Sequence, residues 1–182
     1  MMRPSLSHAA MRCAFGATIP LKRTIFEAWK TELQARCRAA QNGQQTARSG
    51  TRVDGTHRPA TRGERGAVTA QGYLALGLGK RAGELEEQLQ LMDQVGFDAR
   101  SEVVTGALLR LGMPRAEHRW VALLPGGDAT WLQVEDGSLI LRVQVLSLRS
   151  PLIHQIRDCE PGDVEEISIG DRIEEVELLE IH

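Results

Sequence analysis

The spacing of apolar residues changes once along this chain, and the change divides it into a helical part and a sheet part. From Leu21 to about Thr46, apolar residues recur three or four positions apart, and the same spacing returns between Val68 and Met92. After Gly96, apolar and polar residues alternate instead. The first spacing is that of an amphipathic helix, whereas alternation is that of a half-buried strand. The sequence therefore predicts an α+β fold.

The two helical segments are predicted to pair with each other. Their apolar positions are Leu21, Ile25, Trp29, Leu33, Cys37 and Ala40 in the first, and Ala75, Leu78, Ala82, Leu85, Leu89 and Met92 in the second. The second set has the spacing of a coiled-coil seam. Glycines within that helix each cost roughly 1 kcal/mol relative to alanine, so it needs a partner. Residues 47–66 are rich in Gly, Thr and Arg. We therefore predict an antiparallel helical hairpin over 21–96 with a tip loop at 47–66.

The second half is predicted to form a small antiparallel sheet with one short helix. Alternation marks strands at 102–111, 119–124, 130–134, 139–148, 164–169 and 172–181. Ser150-Pro151 offers a helix N-cap followed by a favourable first helical residue. Gly170-Asp171 suits a type II′ hairpin turn, and the alternation slips at Glu174-Glu175, which predicts a β-bulge there.

Composition limits the class of protein and its compartment. The chain has 182 residues, of which 42% are hydrophobic and 25% charged, and no apolar run is long enough to cross a bilayer. Its three cysteines are far apart and lack metal-ligand spacing, which argues against a disulfide framework or a zinc site. Residues 1–20 lack a secretory signal and are predicted to be a disordered tail. We expect a cytoplasmic protein that does not bind a membrane.

Charge is distributed unevenly between the two parts. The net charge of −2 combines residues 1–66, which carry 12 basic and 4 acidic groups, with residues 67–182, which carry 10 basic and 20 acidic groups. Opposite charge attracts different partners, so the two parts are expected to face different surfaces.

Part of the second half resembles a known family. The segment 145–152, which includes Ser150-Pro151, is followed by a short helix, by Pro161-Gly162-Asp163-Val164 and by a closing hairpin. This order is similar to the carboxy-terminal domain of the GreA/GreB transcription elongation factors. The preceding helical hairpin matches the amino-terminal half of that family in architecture.

The resemblance implies a protein that binds RNA polymerase. In that family an FKBP-like sheet domain, here 97–182, docks at the rim of the secondary channel, and the hairpin, here 21–96, reaches toward the active centre. By this resemblance Ser150 and Pro151 belong to the docking loop, while Gly162 and Asp163 shape the next turn. Helix capping alone is an equally good explanation of Ser150-Pro151.

The resemblance also directs attention to acids at the hairpin tip. Family members that stimulate transcript cleavage carry two nearby acids, which help to hold a shared Mg²⁺ in the polymerase active centre; carboxylates suit this hard cation. The candidates here are Asp54 and Glu64, which are separated by ten positions in a Gly-rich segment. An ordinary turn and a solvated charge explain them better. The tip therefore favours a regulator that occupies the channel over a cleavage factor.

Arginine dominates the same tip. The tip contains only the two candidate acids but five arginines, namely Arg48, Arg52, Arg58, Arg62 and Arg65. Guanidinium groups pair with phosphate oxygens, so this tip suits nucleic acid within the transcription complex. An Arg-rich solvated loop is the alternative interpretation.

Two other functions remain as alternatives. An FKBP-like fold also suggests a peptidyl-prolyl isomerase, but that activity needs an aromatic pocket, and from Glu102 onward the aromatic residues are only Trp120 and Trp131. A coiled-coil adaptor unrelated to transcription is the second alternative. We expect a protein that is not an enzyme, with no metal site, cofactor or small-molecule substrate of its own.

Overall fold

The fold consists of two long helices followed by a sheet that contains a short helix. The computed structural model describes residues 15–51, 62–113, 116–136, 139–169 and 172–182. The elements in chain order are α1 (Phe15–Thr51), α2 (Arg62–Met92), β1 (Leu108–Met113), β2 (Ala116–Leu123), β3 (Asp128–Asp136), β4 (Leu139–Leu146), α3 (Pro151–Gln155), β5 (Val164–Ile169) and β6 (Arg172–Ile181). This order confirms the predicted fold class of a helical hairpin followed by a sheet domain with one short helix.

The chain divides into two compact units, and the division falls inside α1. The hairpin unit comprises Lys30–Asp93, and the sheet unit comprises the chain up to Trp29 together with Gln94–His182. The predicted boundaries of 21–96 and 97–182 follow the change of secondary structure instead. They therefore assign the start of α1 to the hairpin, whereas its contacts lie with the sheet.

The hairpin unit has the predicted apolar seam. Leu33, Cys37, Ala82 and Leu85 are all buried. The Cys37 thiol lies 3.9 Å from the backbone oxygen of Ala82, a close approach that the small alanine permits. Seam packing, more than intrinsic propensity, holds such helices together in water.

Both helices are longer than the sequence predicted. α1 begins within the predicted tail 1–20 and continues to Thr51, and α2 begins at Arg62, so the helices occupy both ends of the predicted loop 47–66. Ala47 is buried, and a side chain at Gly50 would displace the side-chain amide of Gln71 on the facing helix. This packing extends the seam and overrides the weak helix propensity of Gly, Ser and Thr. Residues 1–14 and 52–61 lie outside the described part.

The start of α1 covers one face of the sheet. Leu21, Ile25 and Trp29, predicted as part of the hairpin seam, are buried within the sheet unit. The Trp29 indole nitrogen donates a hydrogen bond of 2.9 Å to the backbone oxygen of Pro125. One continuous apolar stripe on α1 therefore packs against two different partners, which its regular spacing does not reveal.

The sheet has six strands in the order β3-β4-β2-β1-β6-β5. All neighbouring strands are antiparallel except β2 and β4, which are parallel, with Trp120 opposite Val143. β3 forms a hairpin with β4, and β4 then inserts beside β2. The prediction of a purely antiparallel sheet is corrected in this one pair, because alternation along a strand carries no information about which strand lies next to it.

The start of the first strand and the site of the bulge also differ from the prediction. Residues 102–107 form turns rather than strand, because Gly106 adopts φ +91° and its N–H donates to the backbone oxygen of Leu123. The pairing of β5 with β6 is regular through Glu174-Glu175, so the bulge predicted there is absent. A register shift occurs instead between Arg110 and Leu111 in the pairing of β1 with β6. The predicted turn at Gly170-Asp171 lies outside the described residues.

An apolar core lies between the sheet and α3. Its fully or nearly fully buried members are Val103, Ala107, Leu109, Leu111, Val121, Leu123, Leu146, Ile153, Ile156, Ile167, Val176, Leu178 and Ile181. α3 contributes Ile153, so the short helix is fixed to the sheet by its own apolar side chain.

Candidate functional site

The segment that leads into α3 is the first part of the candidate site. Ser150 occupies the N-cap position with extended backbone and Pro151 begins the helix, as predicted. The Ser150 side chain, however, makes no capping hydrogen bond. Its backbone N–H donates to the Ser147 oxygen at 3.0 Å, so the turn is closed by backbone alone. The Pro151 ring is exposed. Capping therefore explains the position of Ser150 but not its hydroxyl group.

Gly162 and Asp163 form the turn that leads into β5. Gly162 adopts φ +103°, in the left-handed region that favours glycine. The Asp163 carboxylate accepts a hydrogen bond of 2.8 Å from the Glu160 N–H, and the Asp163 backbone oxygen accepts one of 2.9 Å from Leu178. These contacts give both residues a structural role in shaping the turn.

Gln155, at the end of α3, blocks the outer edge of β5. Its side-chain oxygen accepts a hydrogen bond of 2.9 Å from the Ser168 N–H, and its side-chain nitrogen lies 3.5 Å from the Ser168 oxygen. An amide side chain thus replaces a neighbouring strand at this position. Such protection limits unwanted pairing of an edge strand, and it holds the α3 segment against the sheet.

The described part of the hairpin tip is basic. Arg48, near the end of α1, and Arg65, near the start of α2, are exposed. Arg62 and Glu64 also lie in the first turn of α2. The remaining predicted tip residues, Asp54, Arg52 and Arg58, lie outside the described residues. Because Asp54 lies outside the described residues, the convergence of Asp54 and Glu64 stays a prediction.

Acidic side chains are concentrated on β5 and β6. Glu166 lies directly opposite Glu175, and both are exposed. Like charges at directly opposed positions weaken strand pairing by a few tenths of a kcal/mol to about 1 kcal/mol. This part of the sheet is therefore negatively charged at the cost of some stability.

A small cleft opens between the start of α1 and the sheet, and Lys22 borders it. The cleft is lined by Lys22, Phe26, Phe97 and further apolar residues. The Lys22 amine donates to the backbone oxygens of Asp98 at 2.8 Å and His182 at 3.3 Å. Burial lowers the pKa of Lys22, nearby Arg100 lowers it further, and Asp98 opposes the change. The aromatic residues of the sheet segment that begins at Glu102 did not reveal this cleft, because its aromatic side chains, Phe26 and Phe97, precede that segment.

A second feature that the sequence did not reveal is a tryptophan between two arginines on the sheet. The guanidinium carbons of Arg119 and Arg142 lie 5.5 Å and 5.0 Å from the centre of the Trp131 ring. Trp131 is 40% exposed. These distances suit cation–π contacts. The three residues come from β2, β4 and β3, so only knowledge of the strand order would have brought them together.

The described ranges contain neither a cluster of metal ligands nor a membrane-spanning helix. Within the described ranges, no group of three or more His, Cys, Asp or Glu side chains is arranged to hold a metal ion. No helix of the described part is both long and apolar enough to cross a bilayer. Cys37 and Cys159 are free thiols, and burial raises the pKa of each.

Comparison with known proteins returned similarity in structure only. No protein-family model matches the sequence, and no curated protein matches it. The crystal structure of GreA factor homolog 1 (Gfh1) protein of Thermus thermophilus is 13% identical with a TM-score of 0.32, and covers 86% of this chain and 94% of its own. A structure of the transcription factor Gfh1 has 15% sequence identity and a TM-score of 0.35, and the alignment covers 86% of this chain and 92% of that one. The crystal structure of Thermus aquaticus Gfh1 has 14% sequence identity and a TM-score of 0.33, and the alignment covers 86% of this chain and 95% of that one. These identities and TM-scores are too low to assign a family.

Proposed function

We propose that this protein binds bacterial RNA polymerase through the sheet unit and modulates transcript elongation with its hairpin. The observation that carries the proposal is the state of Ser150-Pro151. The Ser150 hydroxyl makes no capping bond and the Pro151 ring is exposed. Both side chains are therefore available to a partner, at the positions where the resemblance to GreA/GreB factors expects docking.

The rest of the docking segment supports this proposal by being held in place. Ile153 anchors α3 in the core, and Gln155 ties its end to β5. Gly162 and Asp163 fix the following turn through backbone geometry and hydrogen bonds. A partner therefore meets a surface that loses little conformational freedom on binding, which favours affinity.

The hairpin is the part that we propose to act on elongation. Its described tip carries exposed Arg48 and Arg65, and the sequence adds Arg52, Arg58 and Arg62. We propose that the hairpin enters the secondary channel and that these arginines interact with nucleic acid inside the transcription complex only. The protein then acts in the cytoplasm as a non-catalytic factor, with no cofactor or small-molecule substrate and no metal of its own beyond an Mg²⁺ shared with the polymerase.

The docking claim is tested by binding of the full chain to immobilised core RNA polymerase. The double variant Ser150→Ala, Pro151→Ala removes the two available side chains, and we expect it to bind at least about tenfold more weakly, as for residues at the centre of an interface. His154→Ala is the matched control, because His154 is exposed on the same short helix. Unchanged affinity in the double variant, with an unchanged melting temperature, would contradict docking at this segment.

A further inference from the structure

We propose that the outer face of α2 is a self-complementary surface on which a second copy of this chain docks antiparallel. The outer face is defined by Arg65, Tyr73, Leu76 and Glu84, which lie on the side of α2 away from the seam. With 3.6 residues per turn, these four positions fall within a strip roughly 100° wide. The proposal concerns self-association, and it does not depend on binding to RNA polymerase.

The centre of this face is apolar and uncovered. Tyr73 is 72% exposed and Leu76 is 71% exposed. The two residues are three positions apart and therefore adjacent on one side of the helix. By contrast, Ala75, Ala82 and Leu85 on the seam side are buried. A large aromatic and a leucine side by side in water are the kind of feature that a partner covers.

Charge complementarity identifies the occupant as another copy. Tyr73 and Leu76 are placed symmetrically about the Leu74–Ala75 peptide bond, and so are Arg65 and Glu84. In an antiparallel pair with its two-fold axis at that bond, Tyr73 of each copy meets Leu76 of the other. Arg65 of each copy then meets Glu84 of the other, whose carboxylate also lies 3.5 Å from Arg81 and 3.9 Å from Lys80 of its own helix. Two opposite-charge pairs thus flank an apolar centre, which is the arrangement an isologous dimer requires.

The glycines of α2 are consistent with a closely approaching partner. Gly66 and Gly83 are symmetric about the same bond, as are Gly72 and Gly77. A Cβ atom added at any of the four would meet nothing within 4 Å in this chain. Each glycine nevertheless lowers helix stability relative to alanine. Packing inside the hairpin does not account for them, whereas a second helix crossing at short distance does.

Dimer formation would also cover a face of the hairpin. A single pair of helices buries less surface than a standard stable interface, so we expect a dissociation constant on the order of 10 μM. A weak, concentration-dependent dimer of this kind withholds the hairpin from any other partner at high protein concentration. Self-association is thus a means of regulating whatever the hairpin binds.

Charge reversal provides the principal test, with the full chain in sedimentation velocity over a range of concentrations. Arg65→Glu alone and Glu84→Arg alone each create two repulsive pairs, and we expect each to weaken dimerisation about tenfold. The double variant restores both pairs in reversed order and is expected to recover the dimer. Arg38→Glu, on the exposed side of α1, is the control. A chain that stays monomeric at every concentration, or a double variant that does not recover, would overturn the proposal.

The glycines allow a second test that a purely structural role would not pass. The variant Gly72→Ala, Gly77→Ala is expected to raise the thermal stability of the monomer, because alanine favours helix and has open space at both positions. The same variant is expected to weaken dimerisation at least about threefold, since the added methyl groups separate the two helices. Equal or stronger dimerisation would overturn the proposal. Neither test uses polymerase, so its outcome is independent of the proposed function.

Discussion

Lys22 is a cation placed where little water reaches it. It is 7% exposed, and its amine donates hydrogen bonds to the main-chain oxygens of Asp98 and His182. Burial lowers its pKa below the ordinary lysine value. The unfolded chain therefore retains the proton at pH values where the folded chain has lost it, so this group makes the protein more stable as pH rises from its folded pKa toward the ordinary value.

We predict that Lys22→Met changes the pH dependence of stability in a defined direction. The free energy of unfolding of the wild type, relative to the variant, should increase between neutral pH and about pH 10, since only the wild type has this titration. Urea unfolding followed by tryptophan fluorescence measures it, and all three tryptophans lie in the sheet unit. A difference between the two proteins that is constant with pH would contradict this interpretation of Lys22.

At the same scale, the sequence predicted the positions of Ser150 and Pro151 better than their contacts. Ser150 and Pro151 begin a helix as their types indicate, yet the Ser150 hydroxyl forms no cap. Capping is a competition between backbone and side-chain partners that composition does not decide. The cluster of Trp131 with Arg119 and Arg142 was not predictable, because it depends on three strands being neighbours.

The next scale is that of the helices, where seam packing decides stability. Leu85 is 2% exposed on the seam of α2. We predict that Leu85→Asp destabilises the hairpin unit by at least about 3 kcal/mol, because it removes apolar packing and buries a charge. Far-ultraviolet circular dichroism should lose helical signal, while tryptophan fluorescence stays native because the tryptophans report only the sheet unit.

Leu91→Asp is the matched control for that prediction. Leu91 lies on the same helix but is 51% exposed, so the same change of side chain buries no charge. Its helical signal should match the wild type. Unchanged helicity in Leu85→Asp, or equal loss in both variants, would contradict the paired hairpin.

Spacing alone identified the helices and most strands, but not what they pack against. Leu21 and Leu33 belong to one regular stripe, although the first lies in the sheet unit and the second in the hairpin unit. The alternation of apolar and polar residues likewise gave no indication that β2 and β4 pair in parallel. The spacing of apolar residues reveals which face of a helix or strand is apolar. Which element packs against that face depends on the connections of the whole fold.

At the scale of the whole molecule, the division inside α1 sets a limit on dissection. A fragment that starts at residue 97 would lack Leu21, Ile25 and Trp29, which cover the sheet. It would therefore expose an apolar face. Experiments on docking are for this reason designed with the full chain and point variants.

The proposed effect of the hairpin on elongation rests on the unequal charge of the two parts of the chain. The first 66 residues carry 12 basic and 4 acidic groups. If the tip acts through its arginines, neutralising Arg52, Arg58 and Arg62 should weaken the effect on elongation. Raised salt should weaken it in the same way, because phosphate contacts depend on ionic strength. Asp54→Ala with Glu64→Ala should leave it intact.

The most direct measurement is transcript length on stalled elongation complexes of bacterial RNA polymerase, with and without the full chain. We predict that the protein changes the rate of extension without shortening transcripts. This effect should be retained in the double-alanine variant and reduced in the variant in which Arg52, Arg58 and Arg62 are neutralised. Mg²⁺-dependent shortening that disappears in the double-alanine variant would contradict the proposed role of the tip. Transcripts that are identical with and without the protein, at concentrations that saturate the polymerase, would contradict the account of elongation as a whole.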